Sequence, residues 1–508
     1  MQKSYNQKES DRNIKIGAIV SYIVIFVNIA CGFIFTPWLA RSIGQSQYGL
    51  YTLAIALINM FLIDFGISAS ISRFIAKYEA EVKPEKVKEF VALIAKVYFY
   101  IDILIAVAFI VIALFLDKIY VALTPDELTT FRTIFIICAV YNVISFPITT
   151  LSTGFLNAYE LFGIQKVCGV ISKIAQVVLS VVALKLGFGI YSIVVINAIC
   201  GLAGTVAKMY FVKKKTPVRF QKCATNKKMI EAVFSFTVWA AITGIAERLT
   251  YNIQPSILGI TSSSIAVAVF GAASALESYI YTFTTAINVL FLPRVSHILA
   301  EEKNDELMNL TIKVGKLQYI ITGWIFAGFV AIGSQFLVLW MGEEYEMAYI
   351  CTIFMVAPCL LSRPQQIANT SLIARGNVKE MALVDAGMIL LNIGISFVLS
   401  KSLGAIGASI GICVGSVFSA VLRCVLYYNL LNLDIKRLIL ECYIRIGIPI
   451  ILTLGVAYFI HKKNIYLTWL NLAIGGCIIS IVYFSLCYLL GLNKKEQGKI
   501  RMVFKGVK

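Results

Sequence analysis

Residues 14–38 read IKIGAIVSYIVIFVNIACGFIFTPW, a run of 25 residues in which Lys15 is the one charged side chain. Because about 20 apolar residues in an α-helix cross the hydrocarbon core of a bilayer, this run predicts a membrane-spanning helix. The alternative for a basic N-terminal segment is a cleaved secretory signal, whose apolar core is only about 7–15 residues long. Similar runs recur along the whole chain, so we expect a retained first span.

The composition excludes an ordinary soluble protein. Of 508 residues, 59% are hydrophobic and 14% are charged, with a mean hydropathy of +0.83. Soluble proteins average about 45–50% apolar and about 25% charged residues. The apolar runs are too long to be strands of a membrane barrel. The sequence therefore predicts an all-α, polytopic membrane protein with about 14 transmembrane helices.

The predicted spans are separated by short loops, and no linker is long enough to mark a separate soluble domain. We expect helices at residues 14–38, 48–70, 90–116, 131–152, 164–184, 189–211, 229–254, 264–292, 315–340, 347–373, 380–400, 404–430, 442–460 and 465–491.

Positive charge predicts the orientation of these spans. If the N-terminus is cytoplasmic, the cytoplasmic segments hold 32 of the 45 Lys and Arg residues, and the outward segments hold 7. This bias favours both termini in the cytoplasm and a multi-pass protein of the plasma (cytoplasmic) membrane. Anionic lipid then explains the net charge of +18 without nucleic acid, which would need a basic soluble face with interleaved aromatic residues.

An internal repeat is indicated by punctuating residues that recur at one offset. Ser-Phe-Pro at residues 145–147 returns as Ser-Arg-Pro at 362–364, and LGFGIYSI at 186–193 returns as LGAIGASI at 403–410, both 217 residues later. Shared helical composition is the alternative explanation. Coincidence of Gly, Pro and Ser favours a true duplication.

The repeat predicts a domain organisation. We expect an N-terminal six-helix half at residues 1–220, a C-terminal six-helix half at 221–432, and two additional helices with a basic cytoplasmic tail at 433–508. Because six is even, both halves start on the same side, which makes two parallel repeats. In such transporters the substrate binds near the midplane between the repeats.

Polar side chains recur at helical spacing inside several spans, where contact with lipid gives them no role. They either line a polar cavity or join helices through hydrogen bonds. The candidates for contact with a substrate are Arg248, Lys96, Lys173, Arg363, Arg41, Asn28, Asn142, Gln366, Tyr281 and Asn288.

Arg248 is the strongest anion-binding candidate, since a guanidinium matches phosphate oxygens and stays charged at any pH. The alternative is a structural ion pair with Glu277 or Asp64 on another helix. Arg363 precedes a proline that we expect to kink the tenth helix. Arg423 lies nearer a helix end, where we expect its side chain to extend to the membrane surface.

Intramembrane acids are the candidates for a coupling-cation site. In a span the charged form of a carboxylate is disfavoured, so it can exchange a proton or bind Na⁺. The candidates are Asp64, Asp102, Glu247, Glu277 and Asp385.

No pattern predicts a cofactor, a metal site or an enzyme. The twelve cysteines lack CxxC spacing, and His297 and His461 have no clustered partner. A phosphate-binding loop of the GxxxxGK[ST] type is absent from the sequence, which disfavours ATP-driven pumping by this chain alone. The one low-molecular-weight partner we expect besides substrate is a coupling H⁺ or Na⁺.

The chain also resembles a known family. Residues 36–44 (TPWLARSIG), 48–51 (YGLY) and 64–66 (DFG) resemble the opening of Wzx-type polysaccharide flippases of the multidrug/oligosaccharidyl-lipid/polysaccharide exporter superfamily, and residues 247–249 (ERL) resemble that family's seventh helix. The family often has an acid two residues after this arginine. Here Thr250 stands at that position, which puts an intrahelical Arg–Asp arrangement in doubt.

The resemblance implies movement of a polyprenyl-diphosphate-linked oligosaccharide from the inner to the outer leaflet by alternating access, with helices kinked at Pro147 and Pro364. It implies the lipid bilayer as environment, and a polysaccharide polymerase and glycosyltransferases as partners. A multidrug exporter of the MATE type remains the alternative, since four intramembrane cations against five acids decide little. A membrane enzyme such as a glycosyltransferase would need a large outer loop or a clustered acidic motif, and neither occurs.

Overall fold

The computed structural model describes residues 7–64, 67–219, 244–245, 248–285, 291–301, 303–462, 468–494 and 496–498. Within these ranges every regular element is helical. The chain divides into two compact units, Met1–Ala268 and Val269–Lys508. These units describe packing, whereas the division at residues 220 and 432 describes the repeat, so that division stays a prediction.

The helices are α1 Gln7–Ile43, α2 Gln45–Phe61, α3 Ile67–Ala80, α4 Pro84–Ile119, α5 Pro125–Ala158, α6 Phe162–Lys185, α7 Ile190–Lys215, α8 248–261, α9 Ser264–Thr285, α10 Leu292–Ala300, α11 Asn304–Trp340, α12 Ala348–Val356, α13 Cys359–Ser362, α14 Gln366–Arg375, α15 Val378–Leu403, α16 Ala405–Leu431, α17 Ile435–Leu438, α18 Arg445–Lys462 and α19 Trp469–Leu486.

The predicted polytopic fold is confirmed. Twelve helices in the described part of the chain are long and apolar enough to cross a membrane. Two predicted spans are not among them: the span at 48–70 is divided between α2 and α3, and the span at 229–254 lies mostly outside the described residues. A total of about 14 is consistent with this result.

The sequence analysis expected short loops between the predicted spans, at residues 71–89 and 293–314, and both expectations are wrong. Each segment holds a short helix, α3 or α10, followed by the first turns of a long one. The charged residues lower the mean hydropathy of α3, but Ile71 and Ile75, four residues apart, are fully buried. Such spacing places apolar side chains on one helix face, so α3 is stabilised by packing rather than by lipid.

The segments after α3 and α10 each contain a lysine–glutamate ion pair, and the two pairs are 220 residues apart. The Lys83 ammonium donates to Glu81 at 2.6 Å, and the Lys303 ammonium lies 2.7 Å from Glu301. In both turns the lysine lowers the pKa of the glutamate carboxyl below its ordinary value. This agreement in detail supports the internal repeat.

The first unit has its core where α3, α4 and α5 meet. Phe90 and Phe155 are fully buried there. Near the N-terminus of α2, a Cβ on Gly49 would lie 2.0 Å from the Ser264 carbonyl oxygen. Only glycine therefore allows this contact with the start of α9.

The second unit has its core around α11, against which the last two spans pack. The Tyr483 hydroxyl donates to the Ile320 carbonyl at 2.9 Å, and the Trp324 indole donates to Ser480 at 2.8 Å. A Cβ on Gly323 would lie 2.6 Å from the Tyr483 hydroxyl, so the helices are in close contact. The spans that lie outside the predicted repeat are therefore part of the core of this unit.

Candidate functional site

In the first unit, Asp64 lies between α2 and α3. It is the first residue of the Asp-Phe-Gly motif that contributes to the family resemblance. Its carboxylate accepts hydrogen bonds from the Tyr98 hydroxyl at 2.6 Å and the Ser68 hydroxyl at 3.1 Å. The Ser68 backbone N–H points to the same carboxylate at 3.4 Å. Asp64 therefore joins the start of α3 to α4, which is a structural role for a predicted coupling acid.

Asp102 lies one helical turn beyond Tyr98 on α4. Its Oδ1 atom is buried, and among the described residues it has no hydrogen-bond partner. A buried polar atom without a partner is rare and costly, and it is often explained by a bound water or ion. Of the predicted coupling acids that the structure describes, Asp102 therefore has the arrangement best suited to binding a proton or cation.

Arg248 lies in the helical segment 248–261 (α8), and its side chain is exposed. Its charge interacts with the Asp64 carboxylate, which is the weakest of the interactions that act on that acid. The sequence analysis considered Asp64 as a structural partner for Arg248. The hydrogen bonds of Asp64 go instead to Tyr98 and Ser68.

In the second unit, three predicted residues converge. The Arg363 guanidinium carbon lies 4.4 Å from the centre of the Tyr281 ring. This cation–π contact joins the turn between α13 and α14 to α9. Glu277, one turn before Tyr281, is 4% exposed. Both Arg363 and Glu277 act electrostatically on the Cys359 thiol.

The chain is broken around Arg363. A 3-10 turn, Arg363–Gln365, separates α13 from α14 and contains Pro364. Proline lacks the backbone N–H that continues a regular helix, so the 3-10 turn occurs where the sequence analysis expected a kink. In contrast, Pro147 lies within the continuous helix α5. Gln366, the first residue of α14, is half-buried beside the break.

Asp385 is engaged by an arginine from the neighbouring helix. The Arg423 guanidinium donates to Asp385 and to Asn369, both at 2.5 Å. The expectation that Arg423 extends to the membrane surface is therefore wrong, because its guanidinium is engaged by an acid on the neighbouring helix.

The other candidates lie apart from these clusters. Lys173 donates to Gln176 at 3.4 Å and interacts with Cys31 on α1. Asn142 donates to the Cys138 carbonyl of its own helix at 2.8 Å. The exposed candidates are Lys96, Asn28 and Arg41. The predicted Glu247 and Asn288 lie outside the described residues.

Sequence reasoning missed a carboxylate network in the first unit. The Glu127 side chain accepts from the Thr124 backbone N–H at 3.0 Å, which completes a capping box at the start of α5. It also accepts from Ser46 at 2.6 Å and from Ser264. The Thr-x-x-Glu pattern was a readable signal for the cap. The distant serines could not be found from local sequence.

Two comparisons of the sequence with known proteins indicate its family. Residues 14–299 match the model of a family described as "Polysaccharide biosynthesis protein". A Shigella flexneri protein named "Putative O-antigen transporter" is 21% identical over 402 residues, covering 77% of this chain and 92% of that protein. An uncharacterized membrane protein of Methanocaldococcus jannaschii is 20% identical, covering 74% of this chain and 88% of its own length.

Solved structures share the fold. The lipid II flippase MurJ in an inward closed conformation superposes with a TM-score of 0.73 at 14% identity, covering 93% of this chain and 98% of its own. An inward-facing multidrug resistance MATE family transporter of the MOP superfamily gives a TM-score of 0.66 at 12% identity, covering 80% of this chain and 94% of its own. At these identities the likeness concerns the fold alone.

Proposed function

Because this chain belongs to the polysaccharide biosynthesis protein family, we propose that it is a flippase for a polyprenyl-diphosphate-linked oligosaccharide. It moves this substrate from the inner to the outer leaflet of the plasma membrane by alternating access. Both termini are cytoplasmic in this proposal, as the distribution of Lys and Arg predicts.

The observation that carries the proposal is the cation–π contact of Arg363 with Tyr281. A charge inside a membrane-spanning segment is expensive, and it is a functional-site hypothesis by default. A guanidinium that lies over an aromatic ring can also bind phosphate oxygens through its N–H groups. The contact with Tyr281 therefore holds Arg363 in a position from which it can bind a diphosphate.

Arg248 is the second cation in the proposal. Its exposed position on α8 suits a group that meets a hydrated, anionic headgroup. The apolar outer faces of the spans contact the polyprenyl tail and the surrounding lipid. Polar side chains such as Asn142 and Gln366 contact sugar hydroxyls.

We assign coupling to Asp102, by proton or Na⁺ exchange. Its buried Oδ1 atom has no partner among the described residues, whereas Asp64 accepts from Tyr98 and Asp385 is paired with Arg423. A carboxylate already neutralised by a fixed cation gains little from binding another one. Asp102 is therefore the preferred coupling acid.

Drug export is the competing function, since MATE transporters share the fold. The discriminating experiment uses proteoliposomes that contain the purified protein and either a fluorescent polyprenyl-diphosphate disaccharide or an organic cation such as ethidium. The proposal predicts transfer of the lipid-linked glycan between leaflets and no gradient-driven accumulation of ethidium. Accumulation of ethidium without glycan transfer would replace the flippase with a drug exporter.

A further inference from the structure

The tenth span is interrupted immediately before its functional arginine. Helix α13 ends at Ser362, and the 3-10 turn that follows contains Arg363 and Pro364. Carbonyl groups in the last turn of a helix lose their N–H partners four residues later. Inside a membrane each such carbonyl needs another donor, because water is scarce.

Tyr443 supplies that donor from outside the repeat. Its hydroxyl donates to the Leu361 carbonyl at 2.5 Å, two residues before Arg363. The Gln365 side chain, on the other side of Pro364, is buried. The Tyr443 phenol therefore contacts the chain just before the break.

The Tyr443 side chain is itself held in place. Its ring packs edge-to-face on Tyr319 of α11, with 5.4 Å between the ring centres. It lies on a π-helical segment, Ile439–Ile444, a conformation that is rare and often occurs at functional sites. On the same segment, Glu441 accepts from Arg437 at 2.8 Å and lies 4.0 Å from Lys316.

The opposite side of the break rests on α11. A Cβ on Gly315 would lie 2.7 Å from the Pro364 carbonyl oxygen, so the backbones of α11 and of the turn are in direct contact. Next to it, the buried Lys316 binds Glu496, which follows the last span, at 3.1 Å. The turn that carries Arg363 is thus held between Gly315 and Tyr443.

We propose that Tyr443 is a positioning residue for Arg363: the last two helices fix the break in the tenth span and so set the direction of its guanidinium toward substrate. This inference rests on the proposed function, in which Arg363 binds the diphosphate. It gives the two helices outside the duplication a part in substrate recognition.

The test measures binding of undecaprenyl diphosphate to purified protein in nanodiscs by native mass spectrometry, with undecaprenol as the uncharged control. Tyr443→Phe keeps the ring and removes the donor, so affinity for the diphosphate should fall about threefold to tenfold, as for one lost hydrogen bond. Arg363→Ala should lower it about tenfold or more. Undecaprenol binding should stay unchanged in both variants.

The double variant separates positioning from a merely structural role. If Tyr443 acts through Arg363, then Tyr443→Phe should have less than a twofold effect in the Arg363→Ala background. Tyr428→Phe is the matched control, because Tyr428 is 64% exposed on α16. If Tyr443→Phe lowers the affinity of the Arg363→Ala variant by the same factor as it lowers that of the wild type, the inference is overturned.

Gly315→Ala tests the same turn from its other side, and it replaces Tyr443→Phe if that variant does not fold. It should lower diphosphate affinity through displacement of Pro364, whereas Gly328→Ala on the same helix should not, since nothing lies within 4 Å of a Cβ there. Wild-type affinity in both Tyr443→Phe and Gly315→Ala would refute the positioning role alone. Wild-type affinity in Arg363→Ala would instead refute the diphosphate contact of the proposed function.

Discussion

The Arg423 guanidinium on α16 lies 2.5 Å from the Asp385 carboxylate on α15, and the two side chains are 20% and 14% exposed. Asn369 on α14 accepts a second hydrogen bond from the same guanidinium. Three helices of the second unit therefore meet at one ion pair. An acid that the sequence offers as a cation-coupling site has an internal counter-charge.

We expect Asp385→Ala to destabilise the protein, because it leaves Arg423 largely buried without its counter-ion. Removal of one partner from such a pair costs about 3 kcal/mol. The free energy of unfolding in detergent measures this effect. Asp117→Ala is the control, since the Asp117–Arg132 pair is 57% and 42% exposed and its loss should cost about 1 kcal/mol or less. Equal losses would contradict a structural role for Asp385.

Asp102→Asn should uncouple transport without destabilising the fold. The amide keeps the shape of the side chain and removes a buried charge, so the melting temperature should not fall. Transfer of the lipid-linked glycan in proteoliposomes should no longer respond to an imposed proton or Na⁺ gradient. If the variant responds to either gradient as the wild type does, Asp102 is not the coupling acid.

Tyr98→Phe should destabilise the first unit, because the Asp64 carboxylate loses the donor at 2.6 Å. A hydrogen bond to a charged group contributes about 1.5–3 kcal/mol, and the lower end applies if water replaces the hydroxyl. Tyr100→Phe, on the same helix at a side chain that is 69% exposed, should leave the unfolding free energy unchanged. An unchanged value for Tyr98→Phe would show that this bond is not needed.

Arg248→Ala should abolish export of the lipid-linked glycan while the protein stays in the membrane. In the proposal the guanidinium binds substrate. Because it is exposed and interacts only weakly with Asp64, its removal should change the stability of the protein little. Lys185→Ala, at an exposed cation that ends α6, is the control. Normal export in cells that carry Arg248→Ala would remove this residue from the site.

The sequence predicted the fold class because apolar runs of about 20 residues have few alternatives in a membrane. It also predicted the interruption at Pro364, since proline removes a definite hydrogen bond. The helices α3 and α10 escaped notice because their stability comes from one buried face, which an average over a window conceals. The family resemblance, drawn from residues 36–66 and 247–249, is confirmed by the family model over residues 14–299.

The candidate site was predictable only in part. Arg363 and Tyr281 were both selected as polar residues in apolar spans, but their contact joins positions 82 residues apart and could not be read from either segment. The partners Asp385 and Arg423 are 38 residues apart. The sequence did not indicate a role for Tyr443, because aromatic residues are common in apolar spans. Its hydroxyl donates to the Leu361 carbonyl, which is distant in sequence.

The measurement that tests the central claim most directly is the rate at which purified protein in proteoliposomes transfers a fluorescent polyprenyl-diphosphate disaccharide between leaflets. The account predicts that Arg363→Ala lowers this rate at least about tenfold and that Arg363→Lys, which keeps the charge but not the planar guanidinium, restores only part of it. Lys401→Ala, which removes a cation–π contact with Phe397 at 4.9 Å, should transfer like the wild type. A wild-type rate in Arg363→Ala would contradict the account.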